Sequence, residues 1–227
     1  MFNLDVLICC HSKDDYHDQL LERALSSLEQ QTFQDFRTIL ILDECHPETM
    51  NRLNDYPYME WRKSDRLQIF QRPRKLGLAS AKNFGLSQCQ AEWIAYQDAD
   101  DSCLPIRLEM QMDAISKDSD IDFCFTEVWD VYNPGYQELW KPNCFRVGQY
   151  QYPNQIKLQL MKENCLCHGS AMIRKKSLDE LGGYDTNESF LGKEDWRLWL
   201  CASAKGCLFY KIPERLYLYS MGTSVER

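Results

Sequence analysis

RKLGLASAKNFGLSQCQAEWIAYQDADD, residues 74–101, decides how the chain is read. Its apolar run Trp93-Ile94-Ala95-Tyr96 stops at three carboxylates, Asp98, Asp100 and Asp101. A short apolar run closed by acids predicts a buried strand that delivers carboxylates to its C-terminal edge. In open α/β sheets, ligands bind at that edge. Oxygen-rich clusters there suit Mg²⁺ or Mn²⁺, which take carboxylate, water and phosphate oxygens. The expectation is a metal-held phosphate ligand; the alternative is that the acids form a turn or cap the next helix.

Toward the N-terminus the same logic repeats. Leu4 to Cys10 reads as a strand, and Asp14 to Gln31 as an amphipathic helix whose face is Leu21, Ala24, Leu25 and Leu28. Asp14 and Asp15 stand at its start, where the helix dipole favours anions. Thr38 to Asp43 is a second buried strand that ends in an acid, and Leu67 to Gln71 a shorter third. Leu78 to Cys89 reads as a helix, with Leu78, Ala81, Gly85 and Cys89 along one side, and Trp93 to Gln97 as the fourth strand. The order β-α-β-loop-β-α-β implies a mostly parallel sheet with helices on its faces. Asp43 and the Asp98–Asp101 cluster then share one rim.

Toward the C-terminus the pattern is less regular. Leu104 to Lys117 reads as a helix, Ile121 to Tyr132 as an aromatic strand, and Asn133-Pro134-Gly135 as a turn. Residues 141–163 mix loop and helix. Ser170 to Arg174 is a strand, Leu181 to Asp185 a turn, Glu194 to Ala204 a helix ended near Gly206, and Leu208 to Tyr219 a strand. Without a repeat or a flexible linker, one unit is expected over 1–227. Its nucleotide half is 1–101 and its acceptor half 102–227.

The 227 residues are 44% hydrophobic and carry a formal charge of −8. That composition is globular and argues against a nucleic-acid partner, since no Lys/Arg run offers a phosphate-tracking stripe. The chain has 11 cysteines and neither a signal-peptide pattern nor an apolar run long enough for a membrane span. Reduced thiols in a cytoplasmic protein are expected, with peripheral contact at the inner face of the membrane as an option. Cys165-x-Cys167-His168 lacks the second pair that structural zinc needs.

In order and spacing these segments resemble a family-2 inverting glycosyltransferase of the GT-A fold. LDVLICC, the helix after it and Gln31-Thr32-Phe33-Gln34-Asp35-Phe36 resemble the family's first strand, helix and turn. TILILDE resembles its second strand, Gly77 to Gly85 its G-x-x-x-A-R-N-x-G helix, and Tyr96 to Asp101 its DxD motif. Gly182-Gly183-Tyr184-Asp185 and Glu194-Asp195-Trp196 resemble its acceptor-side GG(F/Y)-(D/E) and ED segments. The resemblance implies an α/β GT-A fold with a central, mostly parallel mixed sheet flanked by helices. It also implies a nucleotide-sugar donor, a UDP-linked one by type, and a glycan or lipid-linked acceptor.

By the same resemblance Asp43 accepts a hydrogen bond from the donor base. Asp98 lies near the ribose or a metal-bound water, and Asp100 binds Mn²⁺ or Mg²⁺ on the diphosphate. Asp101 either supports the metal or caps the following helix. Lys82 is the best-placed diphosphate contact among Arg72, Arg74, Lys75 and Lys82, although the family usually has Arg there. Asn83 and Gly85 serve helix packing. Asp195 is the general base, for which the other reading is that Glu194 and Asp195 only favour a helix start. Among the aromatics of the acceptor half, Trp196 is the one expected at the acceptor.

Two departures stand out. Cys9-Cys10-His11-Ser12-Lys13 replaces the family's Pro-Thr-Tyr-Asn at the donor base, where His11 either meets the base or is a surface turn residue. No His follows Tyr219, so the metal is held by Asp100, waters and diphosphate, or with help from His168. Two alternatives remain: a degenerate nucleotide-sugar-binding module, and a sugar nucleotidyltransferase, against which the Gly-free loop after the first strand counts.

Overall fold

The computed structural model describes residues 2–55, 57–72, 74–132, 139–142 and 153–222. The Asn133-Pro134-Gly135 turn and residues 143–152 of the mixed segment lie outside them. The first half runs β1 (Leu4–Cys10), α1 (Asp15–Glu29), β2 (Phe36–Asp43), α2 (Pro47–Leu53), α3 (Tyr58–Lys63), β3 (Leu67–Arg72), α4 (Leu78–Gln88) and β4 (Trp93–Tyr96). The second half continues with β5 (Ser102–Cys103), α5 (Arg107–Lys117), β6 (Ile121–Tyr132), β7 (Leu139–Pro142) and α6 (Pro153–Leu160). It closes with β8 (Met172–Arg174), α7 (Lys175–Leu181), α8 (Glu194–Lys205) and β9 (Leu208–Ser220).

The strand order is β3-β2-β1-β4-β8-β6-β9-β5, with β7 also paired to β6. β3, β2, β1 and β4 are mutually parallel, as their alternation with helices requires. β8 then runs antiparallel between β4 and β6, and β9 lies parallel to β6. Every residue of β2 and of β4 is buried, the mark of strands covered on both faces. α1 and α5 cover one face through Leu21, Leu25, Leu28, Leu108 and Ile115. α4, α6, α7 and α8 cover the other through Ala81, Leu86, Ile156, Leu160, Leu178, Leu198 and Trp199. At the edge away from the carboxylate rim, Arg37 grips Asp5 with two hydrogen bonds of 2.9 and 3.0 Å. No helix among the described residues is long and apolar enough to cross a membrane.

Four helices depart from the sequence reading. The stretch after Asp43, read as loop, folds into α2 and α3. Pro47 opens α2 at a first-turn position, and the two helices bury only Thr49, Leu53 and Trp61. Helices of six or seven residues are too short for a periodic signal. α5 begins at Arg107 instead of Leu104, because Leu104 precedes Pro105, which disfavours helical backbone at that residue. The Gly182 turn is the left-handed C-cap, φ +82°, of the unassigned helix α7.

Gly85 explains how α4 approaches the sheet. A Cβ there would stand 2.4 Å from Leu7 Cδ1 and 3.1 Å from Ile41 Cγ1. Gly85→Val is therefore expected to lower stability by about 1–3 kcal/mol through overpacking. A denaturant titration read as a shift in midpoint at constant slope checks it.

Candidate active site

The parallel strands bring Asp43, the acidic loop after β4 and the loop after β1 to one rim. Asp43 ends β2 opposite Arg72 of β3, and Arg72 Nε lies 3.5 Å from Asp43 Oδ1. Burial pushes the Asp43 carboxyl above its ordinary range, opposed first by the Arg72 guanidinium and then by His11 and the Leu76 N–H. His11 Nδ1 bonds the Asp43 carbonyl at 2.8 Å, which orients the ring beside the carboxylate. Cys9 sits between the acids: burial raises its thiol to about 12, with Lys82, Asp98, Asp43 and Arg72 as its charged neighbours. Arg74 and Lys75 are exposed, whereas Arg72 donates to Ser80 Oγ at 3.0 Å.

The acidic loop is tied down from behind. Arg23 of α1 donates to the Asp100 carbonyl and to Ser220 Oγ, both at 2.6 Å. Asp101 is buried and its Oδ1 accepts the Ser220 N–H at 2.7 Å. Helix capping is thereby excluded for Asp101: α5 starts six residues later and has no side-chain cap, while the carboxylate faces the end of β9. Its carboxyl is held well above the ordinary range, by burial first and then by Asp100 and Asp98. Tyr217 of β9 is fully buried, and its hydroxyl accepts the Asp98 N–H at 3.1 Å. Arg107, also fully buried, donates to the Tyr96 and Gly169 carbonyls at 2.8 Å each.

Asp195 stands in the first turn of α8 and is half-buried. Its Oδ1 accepts the Trp196 N–H at 2.7 Å and its Oδ2 accepts Asn164 Nδ2 at 2.9 Å. Glu194 turns the other way, to Lys82 Nζ at 3.5 Å. Lys82 is thus buried against Glu194, with its ammonium 5.1 Å from the Tyr184 ring centre. The Trp196 indole donates to the Leu160 carbonyl at 2.8 Å, which commits its polar edge to α6. Asn83 clasps Tyr184 through both main-chain groups, each at 2.8 Å, and so ties α4 to the loop after α7.

His168 bridges the two sides. Its Nε2 bonds the Tyr184 hydroxyl at 2.8 Å, and its Nδ1 lies 3.7 Å from Asp98 Oδ1. Burial lowers its pKa, Lys82 adds to that, and Asp98 and Asp195 oppose it. Cys165 and Cys167 beside it are buried thiols, and burial raises Cys165 to about 11.

No group of three or more His, Cys, Asp or Glu side chains among the described residues forms a ready metal cage. The donor set still fits a hard divalent cation. Burial first, and then the neighbouring Asp100 and Asp98, raise the Asp101 carboxyl, and its buried Oδ2 has no hydrogen-bond partner among the described residues; a cation relieves the repulsion among the three. Mg²⁺ in particular is usually held by one or two carboxylates, with waters and substrate phosphates completing its shell. Asp98 and Asp100 are the residues that would hold it.

Comparison with known proteins fits this geometry. The family model described as glycosyl transferase family 2 matches residues 5–182. An uncharacterized glycosyltransferase of Methanocaldococcus jannaschii is 30% identical over 203 residues, which are 89% of this chain and 66% of that protein. The UDP-Gal:alpha-D-GlcNAc-diphosphoundecaprenol beta-1,3-galactosyltransferase of Escherichia coli is 27% identical over 89% of this chain and 68% of its own length. Among solved structures, S. aureus TarS in complex with UDP-GlcNAc superposes with a TM-score of 0.75 at 15% identity, over 99% of this chain and 60% of that one. The mannosyltransferase of Pyrobaculum calidifontis in complex with GDP-Man and Mn²⁺ gives 0.70 at 13% identity, over 97% and 57%. The chain thus spans about two thirds of such relatives, and its mixed sheet is the GT-A fold. With the matched segment running from β1 to the cap of α7, and so through both the Asp43 strand and the acidic loop, the chain belongs to glycosyl transferase family 2.

Proposed function

We propose that this protein is a metal-dependent inverting glycosyltransferase. It moves a hexosyl or N-acetylhexosaminyl group from a nucleotide-sugar donor, UDP-linked in the first instance, to a glycan or lipid-linked acceptor. One observation carries the reading: Asp43 and the Asp98 loop end parallel strands on either side of β1, His168 stands 3.7 Å from Asp98, and Lys82 of α4 meets Glu194, the residue before Asp195. The acids assigned here to the base, the metal and the acceptor proton are therefore tied to one cluster. The UDP-Gal-dependent relative, the UDP-GlcNAc-bound neighbour and the neighbour holding GDP-Man and Mn²⁺ support the same donor class.

In this reading Asp43 accepts the N3–H of the base, beside a His11 ring fixed by the Asp43 carbonyl. Lys82 reaches the diphosphate by exchanging Glu194 for phosphate oxygen. A divalent cation on Asp98 and Asp100, when bound, supplies Lewis-acid neutralisation of the leaving group. Asp195 takes the proton of the acceptor hydroxyl as its oxygen attacks the anomeric carbon from the face opposite the diphosphate. The diphosphate leaves with the electron pair of the broken C–O bond. Trp196 N–H and Asn164 hold the Asp195 carboxylate plane for that transfer. Residues 1–101 serve the donor and 102–227 the acceptor, as one unit. The setting is cytoplasmic, and a lipid-linked acceptor is met by peripheral contact at the inner face of the membrane.

Thermal denaturation against nucleoside diphosphates, with and without Mn²⁺, tests the reading. A ligand at about 100 times its Kd adds roughly 2.7 kcal/mol, which is about 5–10 °C in Tm for a chain of this size. The expected result is a Mn²⁺-dependent rise with one nucleotide that disappears in Asp100→Asn. A rise in the wild type without sugar transfer to any acceptor would favour the binding-module alternative.

A further inference from the structure

One buried side chain behind the acidic loop is not used by the proposed chemistry. Tyr217 lies near the end of β9, fully buried. A hydroxyl has one proton to give and two lone pairs to offer. Here both lone pairs go to the loop after β4. The oxygen accepts the Asp98 N–H at 3.1 Å and Gln97 Nε2 at 3.5 Å. The ring is held in turn by the Arg107 guanidinium, 5.0 Å from its centre.

The hydroxyl also has no room to move. A Cβ on Gly169 would stand 2.0 Å from Tyr217 Oη and 2.8 Å from Asp98 Oδ2. Only a residue without a side chain lets the 168–170 turn close over both atoms at once. Two residues of β9 therefore set the loop: Tyr217 through the Asp98 N–H, and Ser220 through the Asp101 carboxylate.

We propose that Tyr217 is the positioning residue of the metal loop, its hydroxyl seated by Gly169 and fixing the Asp98 main chain so that Asp98 and Asp100 present their oxygens to one divalent cation. This rests on the metal-dependent donor site proposed above. Tyr217 touches neither substrate nor metal and acts through the loop. Partners that orient metal-binding groups in this way change metal affinity by roughly 10–100-fold when removed.

The test is calorimetric titration of Mn²⁺ into the protein saturated with UDP, compared with UDP binding in the absence of metal. Wild type, Tyr217→Phe and Asp100→Asn are measured side by side. Tyr217→Phe should weaken Mn²⁺ binding roughly tenfold or more, with metal-free UDP affinity unchanged. A purely structural role would weaken both together, and equal Mn²⁺ affinity in Tyr217→Phe and wild type would remove the role altogether; either result overturns the proposal while leaving the donor site standing. If wild type binds neither UDP nor any other nucleoside diphosphate with a metal requirement, the donor reading falls and this one with it. Should Tyr217→Phe not fold, Gly169→Ala displaces the hydroxyl without deleting it. Wild-type Mn²⁺ affinity in that variant would equally overturn the proposal.

Discussion

Asp195→Asn should lower kcat by about 10²–10⁴-fold, the usual worth of a general base, while nucleotide binding in the presence of Mn²⁺ stays near the wild-type value. Asparagine matches the shape of aspartate and can still accept the Trp196 N–H through its carbonyl. What it lacks is a basic oxygen for the acceptor proton. The neighbouring acid is a poor substitute, because Glu194 is buried and faces Lys82 across 3.5 Å. Of the acidic pair, Asp195 is the half-buried member and lies on the side of His168 and the acidic loop. Initial-rate transfer assays at saturating donor and acceptor, set beside calorimetric nucleotide binding, separate the two effects. Full transfer activity in Asp195→Asn would remove it from the mechanism.

Most of the sheet was legible because its strands obey one simple rule. LDVLICC, TILILD and WIAY are dominated by apolar residues, as a strand buried on both faces requires. The acids that follow TILIL and WIAY then had to meet on one rim, as they do. Short elements escaped for the opposite reason. α2, α3 and α7 are six or seven residues long and bury two or fewer side chains each, too few to set a period. β5 is two residues held by backbone pairing to β9, which composition does not record.

In the site, residue types were easier to read than partners. Asp43, Asp98 and Asp195 announce themselves by position at strand and helix ends. Lys82 announces itself by motif, but its burial against Glu194 joins residues more than a hundred positions apart, which only the fold reveals. Asp101 was read as a metal support or a local cap, yet it spends one oxygen on the backbone of Ser220 at the far end of β9. Arg23, Tyr217 and Gly169 carried no signal at all. A Tyr in an aromatic strand and a Gly in a Cys-His-Gly-Ser segment look ordinary until the strand order places them under the acidic loop. Arg107 could have been suspected, since it falls on the inward side of a helix whose face is otherwise Leu108 and Ile115.

Arg107→Met should cost about 3 kcal/mol or more and lower Tm by roughly 6–12 °C. The guanidinium is fully buried, and no carboxylate lies within ion-pair distance of it among the described residues. Its charge is met by the Tyr96 and Gly169 carbonyls at 2.8 Å, Gln111 Oε1 at 3.1 Å and Gln97 Oε1 at 3.2 Å, with the Tyr217 ring on its face. Burying a cation is costly, and well-packed apolar residues often replace buried ions without loss. Two features argue against such a neutral exchange here. Methionine fills the volume but donates nothing, so both carbonyls and both glutamine oxygens lose a charged donor at once. In addition, the planar fork serves the Tyr96 and Gly169 carbonyls from Nη2 while Nη1 and Nε reach Gln97 and Gln111; an ammonium, as a single point, cannot hold all four oxygens in the same geometry. Arg107→Lys should therefore fall short of wild type, between it and Arg107→Met. Because the guanidinium also backs the Tyr217 ring, the loss should reach the acidic loop as well as the melting point. Thermal unfolding of the three proteins with and without UDP and Mn²⁺ reads both effects. An unchanged midpoint in Arg107→Met would mean that the desolvation cost of the cation cancels everything its hydrogen bonds contribute.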